Sequence, residues 1–398
     1  MKTARRAAAL LSLGSLPALL AAAPPPPPAP PGSIPVAGPP TGVVSTDGGE
    51  RVLVGFEGKF ALNGGIALYR RSGTAFAPVA SARTASAVQG LALSPDGRTV
   101  VATTRLGLAA LDASALTAGT AKVLETRLGP AADANQIVWS RDGEHVFFTV
   151  QRYAELDVAR VTPANPGGVP SVEVTGKIPL DRLPGGIAEA PDGKTLYVTS
   201  EIDTADAKTV PGASDPRLGR AKCDANLAPN GVLSAVDVRK ASADPAHAVV
   251  ARIAAGCAPT RVALSPDGTV AWVSVRGENR VVALDTAKMR DDAAHALLAS
   301  VAVGDVPVGL AVAVDGRTLL VANSHRSRDA DDARAADLSV VDVEAALHGG
   351  KAVISTVPTG ALAREVVATP DGGFLVTNAL SRAIAVVTPA QLRPLRSR

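Results

Sequence analysis

Two acid–base side chains follow apolar runs of the sequence and could perform catalysis. Glu201 follows the run 195–200, and His325 follows the run 320–324. Either side chain could take a proton from water, because carboxylates and imidazoles act as general bases near neutral pH. Such a base could activate water against a carbonyl compound such as a lactone, although the pattern is not specific for that reaction.

Arginine and amide side chains occur at comparable places in the sequence. Arg261, Arg276 and Arg364 could hold an ester oxygen or a carboxylate, because a guanidinium presents several donors in one plane. Asn323 and Asn378 could contribute amide groups. We therefore predict that these five residues bind a ligand.

All of these residues are predicted to lie on one face of a fold that is built from repeats of four β-strands, described below. On this face the second strand of each repeat ends and the first strand begins. The predicted polar ring consists of Arg105, Arg152, Glu201, Arg261, Arg276, Asn323, His325, Arg364, Glu365 and Asn378. A concavity lined by convergent polar groups is the default place for a ligand. In the alternative interpretation, the same groups cap strand ends and form ion pairs. The sequence has no G-x-S-x-G motif, no histidine triad and no acidic metal quartet.

Metal and cofactor sites are not indicated by the residue pattern. The five histidines are scattered, without the spacing of metal ligands. The acidic residues Asp329, Asp331 and Asp332 could suit calcium, but arginines are interleaved with them and a turn glycine is missing. A solvated loop is therefore favoured there. We expect no metal and no cofactor.

The two cysteines, Cys223 and Cys257, are predicted to form a disulfide. Disulfides are common in exported proteins, whereas a zinc site would need more ligands. On the chain-entropy model this bond would stabilise the fold by about 3–4 kcal/mol. Two unpaired buried thiols are the alternative.

The first residues are typical of an export signal. A basic segment, Lys2 to Arg6, precedes an apolar stretch that ends at Ala23. We predict a signal peptide over residues 1–23, a proline-rich spacer over 24–32, and a periplasmic or secreted mature protein. A membrane anchor is the alternative, but the stretch is shorter than the roughly 20 apolar residues that a spanning helix needs. We expect no transmembrane span after the signal is removed.

Charge and composition disfavour a nucleic-acid partner. The formal net charge of +3 falls to zero when the three basic residues of the leader are removed. Aromatic residues, which stack on bases, make up 3% of the chain. We expect a monomer whose partner is a small molecule or a protein.

An Asp-Gly pair recurs seven times and defines the elements that position these residues. The seven aspartates are Asp47, Asp96, Asp142, Asp192, Asp267, Asp315 and Asp371. Each pair lies between β-type runs, and two further runs follow before the next pair. Asp-Gly suits a hairpin turn in which both residues take positive φ. The repeat predicts an all-β, seven-bladed propeller with four-stranded antiparallel blades.

The two ends of the chain are predicted to close the ring. The sequence stops after the third strand of the last repeat, 383–387, and the segment Ser33 to Ala37 could supply the missing strand. A disordered leader is the alternative for that segment. We therefore assign residues 33–390 to the propeller, with insertions at 201–230 and 324–336, and residues 391–398 to a C-terminal tail.

Three stretches resemble the YVTN motif: Thr195 to Ser200, Leu320 to Ser324 and Phe374 to Asn378. The chain therefore resembles YVTN-repeat propellers, a group that includes YncE-type and lactonase-like proteins. The resemblance implies a rigid scaffold, which we expect to bind a ligand or a protein through the face that carries the insertions. A lactonase-like hydrolase of small cyclic esters is the alternative, and nucleic-acid binding is the weakest of the three.

Overall fold

A computed structural model of the protein describes residues 28–58, 63–73, 75–204, 223–224, 229–325 and 335–393. The chain forms seven four-stranded antiparallel sheets, each built from strands that are consecutive in sequence except the last. This confirms the predicted seven-bladed β-propeller. The predicted signal peptide, the acidic residues 329–332 and most of both predicted insertions lie outside the described residues.

The strands are numbered in chain order from β1 (Ile34–Pro35). Blade 1 contains β2 (Pro40–Thr46), β3 (Arg51–Glu57), β4 (Gly64–Ser72) and β5 (Ala75–Thr84). Blade 2 contains β6 (Val88–Leu93), β7 (Thr99–Thr104), β8 (Gly107–Asp112) and β9 (Leu124–Arg127). Blade 3 contains β10 (Ala134–Trp139), β11 (His145–Val150), β12 (Glu155–Thr162) and β13 (Ser171–Pro179). Blade 4 contains β14 (Arg182–Glu189), β15 (Thr195–Ile202), β16 (Asn230–Asp237) and β17 (Val249–Cys257).

The remaining blades repeat the same order. Blade 5 contains β18 (Pro259–Leu264), β19 (Val270–Val275), β20 (Arg280–Asp285) and β21 (Leu297–Ala302). Blade 6 contains β22 (Pro307–Val312), β23 (Thr318–Asn323), β24 (Asp337–Asp342) and β25 (Val353–Pro358). Blade 7 contains β26 (Ala363–Ala368), β27 (Phe374–Asn378) and β28 (Ala383–Val387), together with β1. Short helices are α1 (Ala113–Thr117), α2 (Val238–Ala243), α3 (Lys288–Asp291) and α4 (Val343–Leu347). Single 3-10 turns span Asp47–Gly49, Pro245–His247, Arg276–Glu278, Ala293–His295 and Pro389–Leu392.

The N-terminal segment closes the ring as predicted, with a shorter strand than expected. Ile34 and Pro35 pair with Ile384 and Ala383 of β28, so β1 is the outer strand of blade 7. Ile34 is 1% exposed and packs in the core between blades 7 and 1. The last blade is therefore completed by residues from the opposite end of the chain, and its edge is covered.

The Asp-Gly hairpins differ from the predicted turn type. In blades 2 to 7 the glycine has positive φ, for example 73° at Gly97, but the preceding aspartate does not. Gly97 N–H donates to the Ser94 carbonyl, and Ser94 N–H donates to the Thr99 carbonyl. This is a type I turn followed by a left-handed glycine, a longer hairpin than the two-residue type I′ loop. The aspartate acts instead as a local acceptor: Asp96 receives hydrogen bonds from Ser94 Oγ and from Arg98 N–H.

The core lies between the blades, where apolar side chains of adjacent sheets meet. Strands β7 and β8 are buried at every position, which fits sheets covered on both faces. The face carrying the Asp-Gly turns is called the turn face below, and the opposite face is called the top face. Within the described part of the chain, no helix has the length and apolar character that crossing a membrane requires.

Candidate functional site

The innermost strand of every blade carries an irregularity at the same place. Each first strand shifts register near its top end, opposite the second strand of the same blade. One residue within or directly after this shift occupies an equivalent position in all seven blades. In blade order, these residues are Gly42, Gly90, Gln136, Gly186, Arg261, Gly309 and Glu365. Four glycines and three polar residues therefore share one structural position.

Close approach of neighbouring inner strands explains the glycines. A Cβ atom on Gly186 would lie 2.6 Å from the Cα atom of Arg261 in the next blade. A side chain at this position of blade 4 would therefore displace the strand that carries Arg261. The arrangement lets the polar residues of blades 3, 5 and 7 approach the axis.

Three polar side chains from non-adjacent blades meet at the axis. The Nε atom of Arg261 lies 3.6 Å from Oε2 of Glu365, and Nε2 of Gln136 donates to the same oxygen at 3.0 Å. An Nη atom of Arg261 also lies 3.4 Å from Oδ1 of Asn135. Because blades 3, 5 and 7 are not neighbours, these contacts cross the axial channel. We call Asn135, Gln136, Arg261 and Glu365 the axial cluster.

Burial has the largest effect on the pKa of the carboxyl group in the axial cluster. Burial raises the pKa of the Glu365 carboxyl, while Arg261, Gln136 and Arg364 oppose that shift. The side chains of Arg261 and Glu365 remain 11% and 19% exposed. The cluster therefore holds a donor-rich cation and a carboxyl group with an elevated proton affinity at the mouth of the channel.

A belt of hydroxyl groups positions the axial cluster. Ser274 Oγ accepts a hydrogen bond from Arg261 N–H at 3.0 Å and donates to the Val308 carbonyl of blade 6 at 2.7 Å. Thr199 Oγ1 makes the equivalent contacts to Gly186 N–H and to the Thr260 carbonyl. Each hydroxyl thus ties the bulge of its own blade to the inner strand of the next. This position is the threonine in two of the three YVTN-like stretches, Thr199 and Thr377, and the sequence reasoning assigned it no role.

Glu201 and Arg276, predicted as a general base and a ligand-binding residue, lie together. An Nη atom of Arg276 donates to Oε2 of Glu201 at 2.6 Å. The Arg276 side chain is 30% exposed and the Glu201 side chain is 16% exposed. The contact fits the alternative interpretation, in which residues of the polar ring form ion pairs. The catalytic role of Glu201 stays a prediction.

His325 lies between two carboxylates on the top face. Its Nε2 atom is 3.2 Å from Oδ2 of Asp337, and its Nδ1 atom is 3.8 Å from Oδ2 of Asp305. The residue has a left-handed φ of 46° and a side chain that is 20% exposed. An imidazole held in this way is oriented by an acidic partner, an arrangement that general bases use.

Asn323 and Asn378 occupy equivalent, fully buried positions at the ends of second strands. Nδ2 of Asn323 donates to Oδ1 of Asp337 and to Oγ of Ser339. Oδ1 of Asn378 accepts from Oγ1 of Thr359 at 3.1 Å. Asn323 therefore bonds to the neighbouring strand β24 and Asn378 to the residue after β25, and nothing in these contacts brings either amide to the axial cluster.

The other predicted ring residues are more dispersed. Arg105 and Arg152 are exposed, and their backbone N–H groups donate to Ala87 and Ala132 at the starts of the first strands. Arg364 precedes Glu365, and its charge partly opposes the rise in the pKa of that carboxyl that burial causes. The structure therefore brings Arg261 into contact with Glu365 and Glu201 into contact with Arg276, and it places Asn323 and His325 on one carboxylate, that of Asp337.

The predicted disulfide between Cys223 and Cys257 is confirmed, with a Cα–Cα distance of 5.4 Å. A buried ion pair, which sequence reasoning missed, lies in the same blade. Arg252 donates to both carboxylate oxygens of Asp181 at 2.6 and 2.7 Å and also contacts Asp203. Because Asp203 and Cys223 both lie within the predicted insertion 201–230, the ion pair and the disulfide attach the insertion to blade 4.

In the described part of the chain, the groups of potential metal ligands consist of residues that already have other partners. Two groups of potential ligands lie close together there, Cys223 with Cys257 and Glu278, and Asp142 with Glu144 and His145. The first uses thiols that are joined in the disulfide. In the second, Asp142 already accepts hydrogen bonds from Ser140 Oγ and Glu144 N–H within its turn. The expectation of no metal and no cofactor stays a prediction.

Several solved structures resemble the fold of this chain at low sequence identity. A provisionally assigned 6-phosphogluconolactonase from Bacteroides uniformis is 18% identical over 83% of this chain and 89% of that chain, with a TM-score of 0.57. Hydrazine synthase from Kuenenia stuttgartiensis is 16% identical over 76% of this chain and 83% of that one, with a TM-score of 0.51. A functionally unknown protein from Desulfotomaculum acetoxidans is 14% identical over 90% and 89%, with a TM-score of 0.53.

These similarities establish the fold alone, because all the identities are low. No protein-family model matches the sequence, and no curated protein matches it either. The function must therefore be argued from the side chains of this chain.

Proposed function

We propose that the protein is an exported YVTN-type propeller that binds a small polar molecule at the top-face mouth of its axial channel. The observation that carries this proposal is the meeting of Gln136, Arg261 and Glu365 across the axis. If these side chains only filled the channel, apolar residues would serve as well. Placing a cation, a carboxyl group and an amide there costs desolvation free energy, which a ligand could compensate.

The chemistry of the axial cluster favours a polyhydroxylated acid. Arg261 offers N–H donors to a carboxylate or phosphate, while Gln136 and Glu365 can exchange hydrogen bonds with hydroxyl groups. Because Arg261 already contacts Glu365, an anionic ligand would compete with that carboxyl group for the guanidinium. Uptake of a proton by Glu365 would relieve this competition, and its raised pKa makes that uptake easier.

Export is supported by two features. The leader has the pattern of a signal peptide, and the described part of the chain contains a disulfide between Cys223 and Cys257. Disulfides persist in oxidising compartments such as the periplasm and the extracellular space. We therefore include periplasmic or secreted localisation in the proposal.

The binding proposal is tested by titrating the purified protein with gluconate and 6-phosphogluconate. We expect Arg261→Ala to weaken binding at least about tenfold, because a charged hydrogen bond is lost. Arg141→Ala, on the turn face, is the matched control, because Arg141 is also paired with a glutamate. Folded Arg261→Ala protein that binds both compounds as tightly as wild type would contradict the proposal. A protein segment that competes with them would instead identify a protein partner at the same mouth.

A lactonase-like hydrolase is the second candidate, supported by the orientation of His325 between Asp305 and Asp337. In this reaction a base takes a proton from water, the water oxygen bonds to the lactone carbonyl carbon, and the ring C–O bond breaks. The proton then passes to the ring oxygen, which leaves a hydroxy acid. The fold is shared with the provisionally assigned lactonase, which adds only analogy.

Hydrolysis of gluconolactone and 6-phosphogluconolactone tests this second function directly. We expect His325→Asn and Glu201→Gln to separate the two predicted bases, since each variant removes one titrating group. Turnover by wild type that disappears in one variant would identify the base. A rate equal to spontaneous hydrolysis would leave the binding function alone.

A further inference from the structure

The core between blades 1 and 2 differs in composition from the six other inter-blade cores. Those six clusters of described residues each contain a buried aromatic ring. The rings are Trp139 between blades 2 and 3, Phe147 between 3 and 4, Tyr197 between 4 and 5, Trp272 between 5 and 6, Phe374 between 6 and 7, and Tyr69 between 7 and 1. Between blades 1 and 2, the corresponding cluster of described residues is entirely aliphatic.

In three of the six clusters the ring comes from one position of the second strand. Phe147, Tyr197 and Trp272 each lie two residues before the hydroxyl-belt position of the second strand. Blades 2, 6 and 7 carry Val101, Leu320 and Leu375 at that position, and their clusters take the ring from the next blade, as Trp139, Phe374 and Tyr69. In blade 1 that place is taken by Leu53, which is 3% exposed. Leucine lacks the volume of these aromatic side chains, and the space beside it is not refilled from blade 2.

A cavity of about 390 Å³ lies at this place and opens on the turn face. Leu53, Leu68 and Leu93 form its apolar wall, and Ser114 and Thr117 of α1 line its rim. The volume falls within the range of small-molecule sites, roughly 300–1,000 Å³. An apolar cavity of roughly 150 Å³ already accommodates benzene.

The matching interface between blades 4 and 5 shows what chemistry such a space accepts. There the phenol of Tyr197 is buried, and its hydroxyl interacts with Thr286 and lies near Arg290. Arg290 follows the strand-ending aspartate Asp285 by five residues, just as Thr117 follows Asp112. The rim residue Thr117 of the cavity therefore corresponds to a residue that faces the polar end of a phenol.

We propose that the cavity between blades 1 and 2 is a second ligand site, for a single-ring aromatic molecule with one polar substituent. The ring packs on Leu53, Leu68 and Leu93 in place of the missing side chain. The substituent points to the rim. There the hydroxyls of Ser114 and Thr117, which donate to Asp112 and to the Ala113 carbonyl, can accept a hydrogen bond from it. This site lies on the turn face and is independent of the axial cluster.

Binding of para-fluorophenol to the full protein, followed by fluorine NMR, tests the proposal. We expect the wild-type protein to broaden and shift the probe signal at millimolar concentrations. Leu53→Phe restores a ring from within the chain, so it should weaken binding at least about tenfold without lowering the melting temperature.

A second variant keeps the test decisive if Leu53→Phe fails to fold. Thr117→Trp obstructs the rim from a helix surface and should also abolish the signal change. Ser242→Trp is its control, because Ser242 is exposed and holds the matching position in α2. Loss of binding in Thr117→Trp but not in Ser242→Trp supports the site. Equal probe binding by wild type and folded Thr117→Trp, or no binding to wild type, overturns it.

Discussion

Arg261 and Glu365 face each other across the axial channel, with Nε of the guanidinium 3.6 Å from Oε2 of the carboxyl group. They belong to blades 5 and 7, so neither sequence proximity nor strand pairing brings them together. Their contact depends on closure of the seven-bladed ring. Each of the two groups reduces the desolvation cost of the other, and this coupling leads to the first prediction.

Replacing Arg261 with methionine should destabilise the protein at alkaline pH more than at acidic pH. The variant leaves a largely buried carboxylate without its cation, which costs about 1–3 kcal/mol. Burial already raises the pKa of Glu365, and loss of the guanidinium raises it further. The folded state then holds a proton that the unfolded state releases, so stability falls as pH rises. Urea unfolding at about pH 5 and about pH 8 measures this difference. The double variant Arg261→Met/Glu365→Gln should recover most of the lost free energy of unfolding. Equal losses of stability in Arg261→Met at both pH values would contradict the coupling between the two residues.

Asp157 should make the wild-type protein less stable as pH rises towards neutrality. This carboxyl is fully buried on the same face of blade 3 as Phe148, and burial raises its pKa to about 7 despite Lys177 at 3.6 Å. Between its unfolded pKa near 3.8 and its folded pKa, the folded state retains the proton and the unfolded state does not. From about pH 5 to about pH 8 we expect a loss on the order of 2 kcal/mol.

Asp157→Asn should flatten that pH dependence, because the amide does not titrate. Glu173→Gln is the control, since Glu173 is an exposed carboxylate of the same blade. Chemical denaturation across the pH range provides the measurement. An unchanged slope in Asp157→Asn would show that another group titrates on folding.

The hydroxyl belt should contribute to stability through its hydrogen bonds rather than its volume. Thr199→Val keeps the side-chain shape but leaves Gly186 N–H and the Thr260 carbonyl without their buried partner. We expect a loss of about 2–3 kcal/mol. Thr199→Ser keeps the hydroxyl and should cost less, about 1 kcal/mol for the missing methyl group. If serine proved as damaging as valine in urea unfolding, packing would be the dominant contribution.

Closure of the ring should depend on Ile34. Its side chain is buried between blades 7 and 1, so Ile34→Ala should lower the free energy of unfolding by about 2–4 kcal/mol. Pro35→Ala is the neighbouring control, because the Pro35 side chain is exposed. Similar melting temperatures for Ile34→Ala and wild type would mean that β1 adds little to the closed ring.

The sequence contains a partial indication of the axial cluster. Gln136, Arg261 and Glu365 each precede by six residues the aspartate of their own turn, and Gly90, Gly186 and Gly309 have the same spacing. Aligning the repeats on that aspartate would have singled out Gln136, which was missed. The alignment alone could not show that blades 3, 5 and 7 meet, because their contact is set by the diameter of the channel.

Local chemistry in the sequence determined the blade count, the hairpins and the closing segment of this protein, because turn preference and apolar runs act over a few residues. The pairing of Cys223 with Cys257 also followed from the sequence, since there were only two cysteines to join. Tertiary structure alone decided which polar groups became partners and where space was left unfilled. Both depend on how closely neighbouring sheets approach around the ring, a distance to which all seven blades contribute.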